Sequence, residues 1–453
     1  MDEFWTIQQA AAALQVHERT IRRWIGDGRL KAVRVARTIR LPRGAVEALA
    51  AATNGHEQAD HSVGCPGEGN GAMSEEKKDA VVQAGLQDVV AGESSICFID
   101  GERGRLVYRG YDAVELAEHS TFEEVAYLLW YGRLPGRVEF EAFLDSFTGS
   151  MELPVETVMI LRMFPKAATP MEVLRTAVSS MGHWDPDSGC TRLDACLRKA
   201  IRLTERIPLV ITAHQRLRHG KEPVHPIPGK SIAYNFLYTL QGTEPDPDWV
   251  RAFDVALTLH ADHEWNASTF TARVVASTMA DMYSGVTAAI GALKGPLHGG
   301  ANEEVIKMLQ QIGGPERAEG WVKDALARKV KIPGFGHRVY RTDDPRAPVL
   351  KRYAEMLTRK SGDTRLFETA CAVEQVTRDN TRVYPNVDFY SGLCYHAMGI
   401  EAELFTPIFA MSRTVGWTAH ILEQWTKNRI IRPRAQYTGL TDIRYVPLDE
   451  RGT

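Results

Sequence analysis

Apolar and polar positions change period several times along this chain, and each change marks an element. Thr6 can cap a helix whose apolar positions Ile7, Ala10, Ala11 and Leu14 recur at helical spacing. A second helix, from about Glu18 to Ile25, puts Ile21, Trp24 and Ile25 on one face and leaves Arg19, Arg22 and Arg23 elsewhere on the cylinder. Gly26-Asp-Gly28 ends it. Leu30 to Leu41 then alternates, with Val33, Val35, Ile39 and Leu41 set between Arg34, Arg37 and Arg40, as a short basic hairpin would. Pro42 and Ala45 to Ala50 supply a closing helix. From about Thr53 to Ala84 Gly, Glu and Asp dominate, leaving too few apolar residues to offset the entropy of ordering the segment, and a flexible linker is predicted.

The pattern resumes at Gly85. Ile96 to Tyr108 reads as two short strands around a Gly-containing turn. Ser120 with Glu123 has the spacing of a capping box, and Val125, Leu128 and Leu129 form a helical stripe before Gly132 and Pro135 stop it. Helical periodicity then dominates to about residue 430, so the body is predicted to be nearly all α.

Composition narrows the class. At 453 residues the chain is long enough for two or three domains, and 44 % apolar with 25 % charged residues is the balance of a soluble globular protein. No run of about 18 apolar residues is present, so no membrane span is expected. The start, Met-Asp-Glu-Phe-Trp, lacks the basic-then-apolar pattern of a secretory signal, and a cytoplasmic location follows as the expectation. Cys65, Cys97, Cys190, Cys196, Cys371 and Cys394 are scattered without a Cys-x-x-Cys pair, which argues for free thiols rather than a zinc ribbon or a disulfide framework. Charge is uneven. Residues 1–52 carry nine cations against five acids, a net of +4, so the remainder carries -7 of the overall -3. A basic module on a mildly acidic body implies different partners for the two parts.

Three stretches carry candidate chemistry. In Lys331 to Ala347, Lys-Ile-Pro-Gly-Phe-Gly-His-Arg-Val-Tyr-Arg-Thr-Asp-Asp-Pro-Arg-Ala, two glycines flank Phe335 just before His337, so the backbone can turn sharply and approach a ligand closely. Arg346 follows after an Asp-Pro turn, and a histidine with an arginine suits a ligand bearing a carbonyl and a carboxylate. In Lys294 to Val305, Lys-Gly-Pro-Leu-His-Gly-Gly-Ala-Asn-Glu-Glu-Val, His298 precedes a helix with stripe Val305, Met308, Leu309 and Ile312, a position that disfavours the imidazolium. In Val383 to Leu393, Val-Tyr-Pro-Asn-Val-Asp-Phe-Tyr-Ser-Gly-Leu, Asp388 has the apolar neighbours of a carboxylate kept reactive as a base. A fourth stretch, Leu259-His-Ala-Asp-His-Glu264, would place His260, His263 and Glu264 on one helical face at a spacing compatible with a divalent metal.

Together, in this order, the three stretches closely resemble the active-site segments of citrate synthase. Arg105-Leu-Val-Tyr-Arg-Gly-Tyr-Asp and Phe122-Glu-Glu-Val-Ala-Tyr-Leu-Leu-Trp-Tyr-Gly-Arg-Leu-Pro are similar to the start of the bacterial enzymes, so the resemblance spans roughly residues 85–450. It implies a large helical domain of residues 85–284 and 381–453 and a small domain of 285–380 that closes over the substrates. It implies that Asp388 removes the methyl proton of acetyl-CoA, that His298 holds the enol oxygen, and that His337 polarises the keto group of oxaloacetate. His263 would contact the dicarboxylate in a segment that is metal-free in the family. Arg346, Arg413 and Arg432 would meet the carboxylates, with Arg432 reaching into a partner subunit, which implies a homodimer; by sequence alone Arg434 is an equal candidate. Gly334, Phe335 and Gly336 would wrap the adenine of CoA and Arg341 would meet a phosphate. Acetyl-CoA is then a substrate, and no cofactor or metal is implied. Two alternatives remain open: a 2-methylcitrate synthase taking propionyl-CoA, since one methylene is discriminated by only about 1–3 kcal/mol, and a metabolite sensor without catalysis.

The stretch from Thr6 to Leu30 resembles the excisionase-like and MerR-like DNA-binding domains, which implies a small winged helix-turn-helix over residues 1–52 with the linker at 53–84. In that family the second helix enters the major groove, assigning DNA contacts to Arg19, Thr20, Arg22 and Arg23. The competing reading makes these arginines a solvated face of a protein-contact module.

Overall fold

The computed structural model describes residues 4–13, 21, 25, 30, 32–35, 38–44, 46, 84–86, 89–148 and 151–451. Contacts divide the chain into two units, Met1–Val82 and Gln83–Thr453.

In the first unit a strand, β1 (Phe4–Trp5), precedes α1 (Ile7–Ala13), and β2 (Val33–Val35) and β3 (Thr38–Pro42) form an antiparallel hairpin with the sheet order β1-β3-β2. The register Val33↔Arg40 and Val35↔Thr38 forms the hairpin expected between Leu30 and Leu41. Thr6 and Gln9 cap α1 reciprocally, with Gln9 N–H donating to Thr6 Oγ1 at 3.1 Å and Thr6 N–H to Gln9 Oε1 at 2.9 Å. Ile7, Ala10, Ala11, Ile21, Leu30, Leu41 and Val46 form its small core. Strand β1 was not expected from the sequence. Arg19, Thr20, Arg22 and Arg23 lie outside the described residues, as does the linker apart from Ala84.

The second unit opens with an antiparallel meander, β4 (Cys97–Asp100), β5 (Arg105–Tyr108) and β6 (Tyr111–Asp112). Helices follow: α2 (Ala113–His119), α3 (Phe122–Tyr131), α4 (Arg137–Thr148), α5 (Val155–Met163), α6 (Pro170–Met181), α7 (Leu193–Arg218), α8 (Ile232–Gln241) and α9 (Pro247–His260). Then come α10 (Ala267–Ser277), α11 (Met282–Leu293), α12 (Ala301–Ile312), α13 (Pro315–Ala327), α14 (Arg346–Ser361), α15 (Arg365–Asn380), α16 (Val387–Ala397) and α17 (Phe405–Thr426). Helix α17 is buried along most of its length and packs against α3, α7, α9, α10 and α11, so it is the axis of the body. The predicted stripe of α12 is buried, and Gly313 ends the helix in the left-handed region that its missing Cβ makes accessible.

The cap of α3 differs from the expected one. Thr121 accepts from Glu124 N–H, whereas Ser120 closes α2 and Glu123 is buried with Oε1 taking Ile232 N–H at 2.7 Å. The cap is shifted by one residue and the expected box is not formed, because a tertiary partner claims Glu123. Beyond Thr426 the chain to Arg451 lacks long elements and exposes Ile430, Tyr437, Leu440, Ile443 and Tyr445. Among the described residues no helix is long and apolar enough to cross a membrane, and Cys97, Cys190, Cys196, Cys371 and Cys394 are free thiols.

Candidate active site

Loop 331–345 is braided to the segment before α16. Gly336 N–H donates to Tyr384 O at 2.9 Å, Asn386 N–H to Gly334 O at 2.9 Å and Asn386 Nδ2 to Gly336 O at 2.9 Å. Gly334 and Gly336 both have positive φ, and a Cβ on Gly334 would sit 2.6 Å from Val305 and 2.8 Å from Phe389. The close approach that the glycines permit is therefore made to the protein's own core. Phe335 follows it inward, its ring 4.7 Å from that of Phe389, so Gly334 and Phe335 face away from the cleft and Gly336 alone of the three lines it.

That braid brings His337 and Asp388 to one region. Val339 and Tyr340 N–H groups donate to His337 Nδ1 at 3.0 and 3.1 Å, so the ring's own proton sits on Nε2, free to donate outward. Burial, then the positive field of Arg346, lowers its pKa to about 4. His263 packs edge-on against it with ring centroids 5.0 Å apart, and Tyr340 lies 4.6 Å from the His337 ring. Burial holds His263 well below the ordinary imidazole range, with Arg346, His337 and Arg413 adding to the effect. His263 Nε2 and the Tyr340 hydroxyl are buried without a partner among the described residues, the signature of groups placed for a polar ligand.

The metal spacing is not formed. Helix α9 ends at His260, because the carbonyls that would continue it are claimed from elsewhere: Ala261 O by Gly416 N–H at 3.1 Å and Asp262 O by the Tyr108 hydroxyl at 2.9 Å. Glu264, at φ 51, turns away to accept Ile99 N–H at 2.8 Å. Among the described residues no group of three His, Cys, Asp or Glu side chains is placed to hold a metal.

His298 occupies a tight turn before α12, with its N–H on Gly295 O at 2.9 Å. Its ring meets the N-terminus of α10: Ser268 N–H donates to Nε2 at 3.2 Å and the Ser268 hydroxyl lies 2.8 Å away. A backbone N–H can only donate, so Nε2 accepts and the proton sits on Nδ1. Burial first, then Arg413, brings the pKa to about 4. The helix end beside this ring belongs to α10 rather than to the helix that His298 precedes.

Asp388 lies in the first turn of α16, whose N-cap Asn386 accepts Asp388 N–H at 3.0 Å. Its carboxylate accepts no hydrogen bond among the described residues. Burial raises its pKa to about 6 while Arg346 and Arg413 pull the other way. Arg346 is buried and paired, its Nε and Nη2 donating to Asp344 at 2.9 and 2.8 Å, so only its Nη edge is left for a ligand. Arg413 is buried over the Phe409 ring, 4.7 Å from its centroid, its Nε donates to His260 O at 2.7 Å, and its Nη groups donate to no side chain among the described residues. One guanidinium acts on His263, His337 and Asp388, the other on His263, His298 and Asp388, so all four groups share one field.

Arg341 is exposed at the rim of a cleft of about 200 Å³ lined by Gly336, His337, Tyr340, Asp344 and a second cation, Arg382. Arg432 is not brought to this site: it lies exposed on the C-terminal segment, as does Arg434. Sequence reasoning missed Asp344, Ser268, Tyr340 and Arg382. Asp344 was legible only as half of an Asp-Pro turn, although its position two residues before Arg346 could have signalled a pair.

A family described as "Citrate synthase, C-terminal domain" matches residues 85–434, and one described as "Helix-turn-helix domain" matches residues 6–54. Citrate synthase 2 of Bacillus subtilis is 49 % identical over 368 residues, 81 % of this chain and 98 % of that one. Relatives named 2-methylcitrate synthase are close behind, at 41 % over 380 residues in Shewanella oneidensis, covering 84 % of this chain and 100 % of that one. The crystal structure of the Pyrobaculum aerophilum citrate synthase superposes with a TM-score of 0.78 at 43 % identity, covering 86 % of this chain and all of that one. That of the Thermoplasma acidophilum enzyme, a ternary complex with carboxymethyl coenzyme A and oxaloacetate, gives 0.77 at 34 %, covering 82 % and 100 %. The buried histidines, the raised carboxyl and the paired arginines thus sit in a chain that belongs to the citrate synthase family, acyltransferases that convert the acyl group into an alkyl group on transfer, and that carries an N-terminal helix-turn-helix domain.

Proposed function

We propose that this enzyme condenses acetyl-CoA with oxaloacetate and hydrolyses the thioester to citrate and CoA. The observation that carries the reading is the opposed titration of one site: two neutral imidazoles with outward N–H groups beside a carboxyl lifted to about 6. Asp388 takes a proton from the methyl carbon while His298 Nδ1–H donates to the thioester oxygen, stabilising the charge that develops there. His337 Nε2–H polarises the keto group, and the enol carbon adds to it. Arg346 and Arg413 hold the substrate carboxylates, and His263 completes that pocket. Arg341, with Gly336, would meet CoA at the rim. Incubation with oxaloacetate and either acetyl-CoA or propionyl-CoA, followed by thiol release, tests the reading. Faster turnover of acetyl-CoA supports it; a preference for propionyl-CoA would make the protein a 2-methylcitrate synthase, and ligand binding without turnover would make it a sensor.

The acid limb of the rate profile has a defined sign. The working form of Asp388 is the carboxylate, so kcat falls as pH drops through about 6 with the slope of one proton, while His298 and His337 stay neutral until about 4. A carboxyl whose folded pKa is raised costs stability as pH rises from 3.8 through about 6. Asp388→Asn is therefore expected to raise Tm at pH 7 and to leave it unchanged at pH 3; a lower Tm at pH 7 would contradict the placement.

The exposed apolar C-terminal segment that carries Arg432 supports a homodimer in which that arm lies on the partner and offers Arg432 to its site. The division of the body at residues 285 and 380 into closing domains, and a cytoplasmic location, belong to the same reading. For residues 1–52 the proposal is DNA binding through Arg19, Thr20, Arg22 and Arg23. Full-length protein is expected to shift duplex DNA in a salt-dependent way, with Arg22→Ala/Arg23→Ala weakening binding and flattening the salt slope; binding indifferent to salt and to both substitutions would count against it.

A further inference from the structure

The turn between β4 and β5 touches the candidate site without contributing a polar side chain to it. Arg103 N–H donates to Asp100 Oδ1 at 3.0 Å and closes the turn, and the register Asp100↔Arg105 fixes its width. Its two glycines face loop 337–343. Gly101 O accepts Arg341 N–H at 2.9 Å, and a Cβ on Gly101 would run into the Val339 carbonyl oxygen. Gly104, at φ +61, lies where a Cβ would be 2.8 Å from Asp343 O and 3.0 Å from Thr342 Cγ2. On the same hairpin Ile99 N–H holds Glu264, the residue after His263.

We propose that the β4–β5 hairpin is a positioning element that splints the segments bearing His263 and His337. The chain of contact is short. Glu264 pins one segment to Ile99, Gly101 pins the other at Arg341, and between them Val339 and Tyr340 supply the two N–H groups that fix the His337 ring. The edge-on stacking of the two imidazoles at 5.0 Å is the geometry that the splint preserves. Glycine is needed at both turn positions because backbone meets backbone there, leaving no room for a side chain. The inference rests on the assignment of His337 to oxaloacetate.

Gly101→Ala tests it, with Gly320→Ala, on an open helix surface, as the control. A misplacement on the order of 1 Å costs about 10²-fold in rate, so kcat/KM for oxaloacetate is expected to fall by about 10²-fold with Tm close to that of the unmodified protein. The loss is expected in kcat rather than in oxaloacetate binding, because Arg346 and Arg413 stay held by Asp344 and by His260 O. Should Gly101→Ala fail to fold, Gly104→Asn serves, since asparagine tolerates the positive φ and retains the intruding Cβ. Unchanged kcat/KM in a folded variant, or a loss that tracks a lowered Tm or falls on oxaloacetate binding alone, would overturn the inference. Absence of turnover in the unmodified protein would instead sink the functional reading on which it stands.

Discussion

Asp388→Ala is expected to abolish turnover while leaving oxaloacetate binding intact. Its carboxylate accepts no hydrogen bond among the described residues, so the side chain stabilises no neighbour and its removal leaves the arginine pocket in place. Loss of a general base costs about 10²–10⁴-fold, and with the neighbouring Asp344 carboxylate locked to Arg346 the upper end of that range is expected. Stopped-flow thiol release and isothermal titration with oxaloacetate measure the two halves separately. Rates like those of the unmodified protein would refute the role of Asp388, and loss of binding would mean that the carboxylate shapes the pocket.

Arg346→Met should be costly in a different way. Asp344 is 1 % exposed, and without the guanidinium its charge keeps only backbone donors, the N–H groups of Arg346 and Val387, both at 3.1 Å. Removing one partner of a buried pair costs about 3–5 kcal/mol, chiefly because the other charge is stranded. Arg346→Met/Asp344→Asn removes both charges, so it is expected to recover most of that stability while binding no oxaloacetate. This separation distinguishes the pair's structural work from the ligand contact. A double variant that still binds oxaloacetate would show that Arg346 serves the fold alone.

The sequence made some of this legible and hid the rest for a physical reason. Local chemistry could be read: the Gly-Phe-Gly turn before His337, the stripe of α12, the strands on either side of Gly101 and the Thr6 cap all depend on neighbours a few residues away. What could not be read depends on partners far along the chain. The helical face expected for His260, His263 and Glu264 is interrupted because Gly416 and Tyr108 claim the carbonyls after His260. The neutral form of His298 depends on burial and on Arg413, and its tautomer on the amide of Ser268, thirty positions earlier, rather than on the helix it precedes. Arg346 is a local exception: it reads as a free fork in sequence, yet its Nε and Nη2 donate to Asp344, two residues before it. Arg432 is the opposite case: the family resemblance assigns it to the substrates, yet in this chain it lies exposed on the C-terminal segment, away from the buried arginines.

The direct measurement is a crystal structure of the protein with oxaloacetate and carboxymethyl-CoA. The keto oxygen is expected within hydrogen-bond distance of His337 Nε2, carboxylates on the free Nη groups of Arg346 and Arg413, and the carboxymethyl group between His298 Nδ1 and Asp388. A ligand seated elsewhere, or in place with His298 and Asp388 turned away from it, would contradict this arrangement.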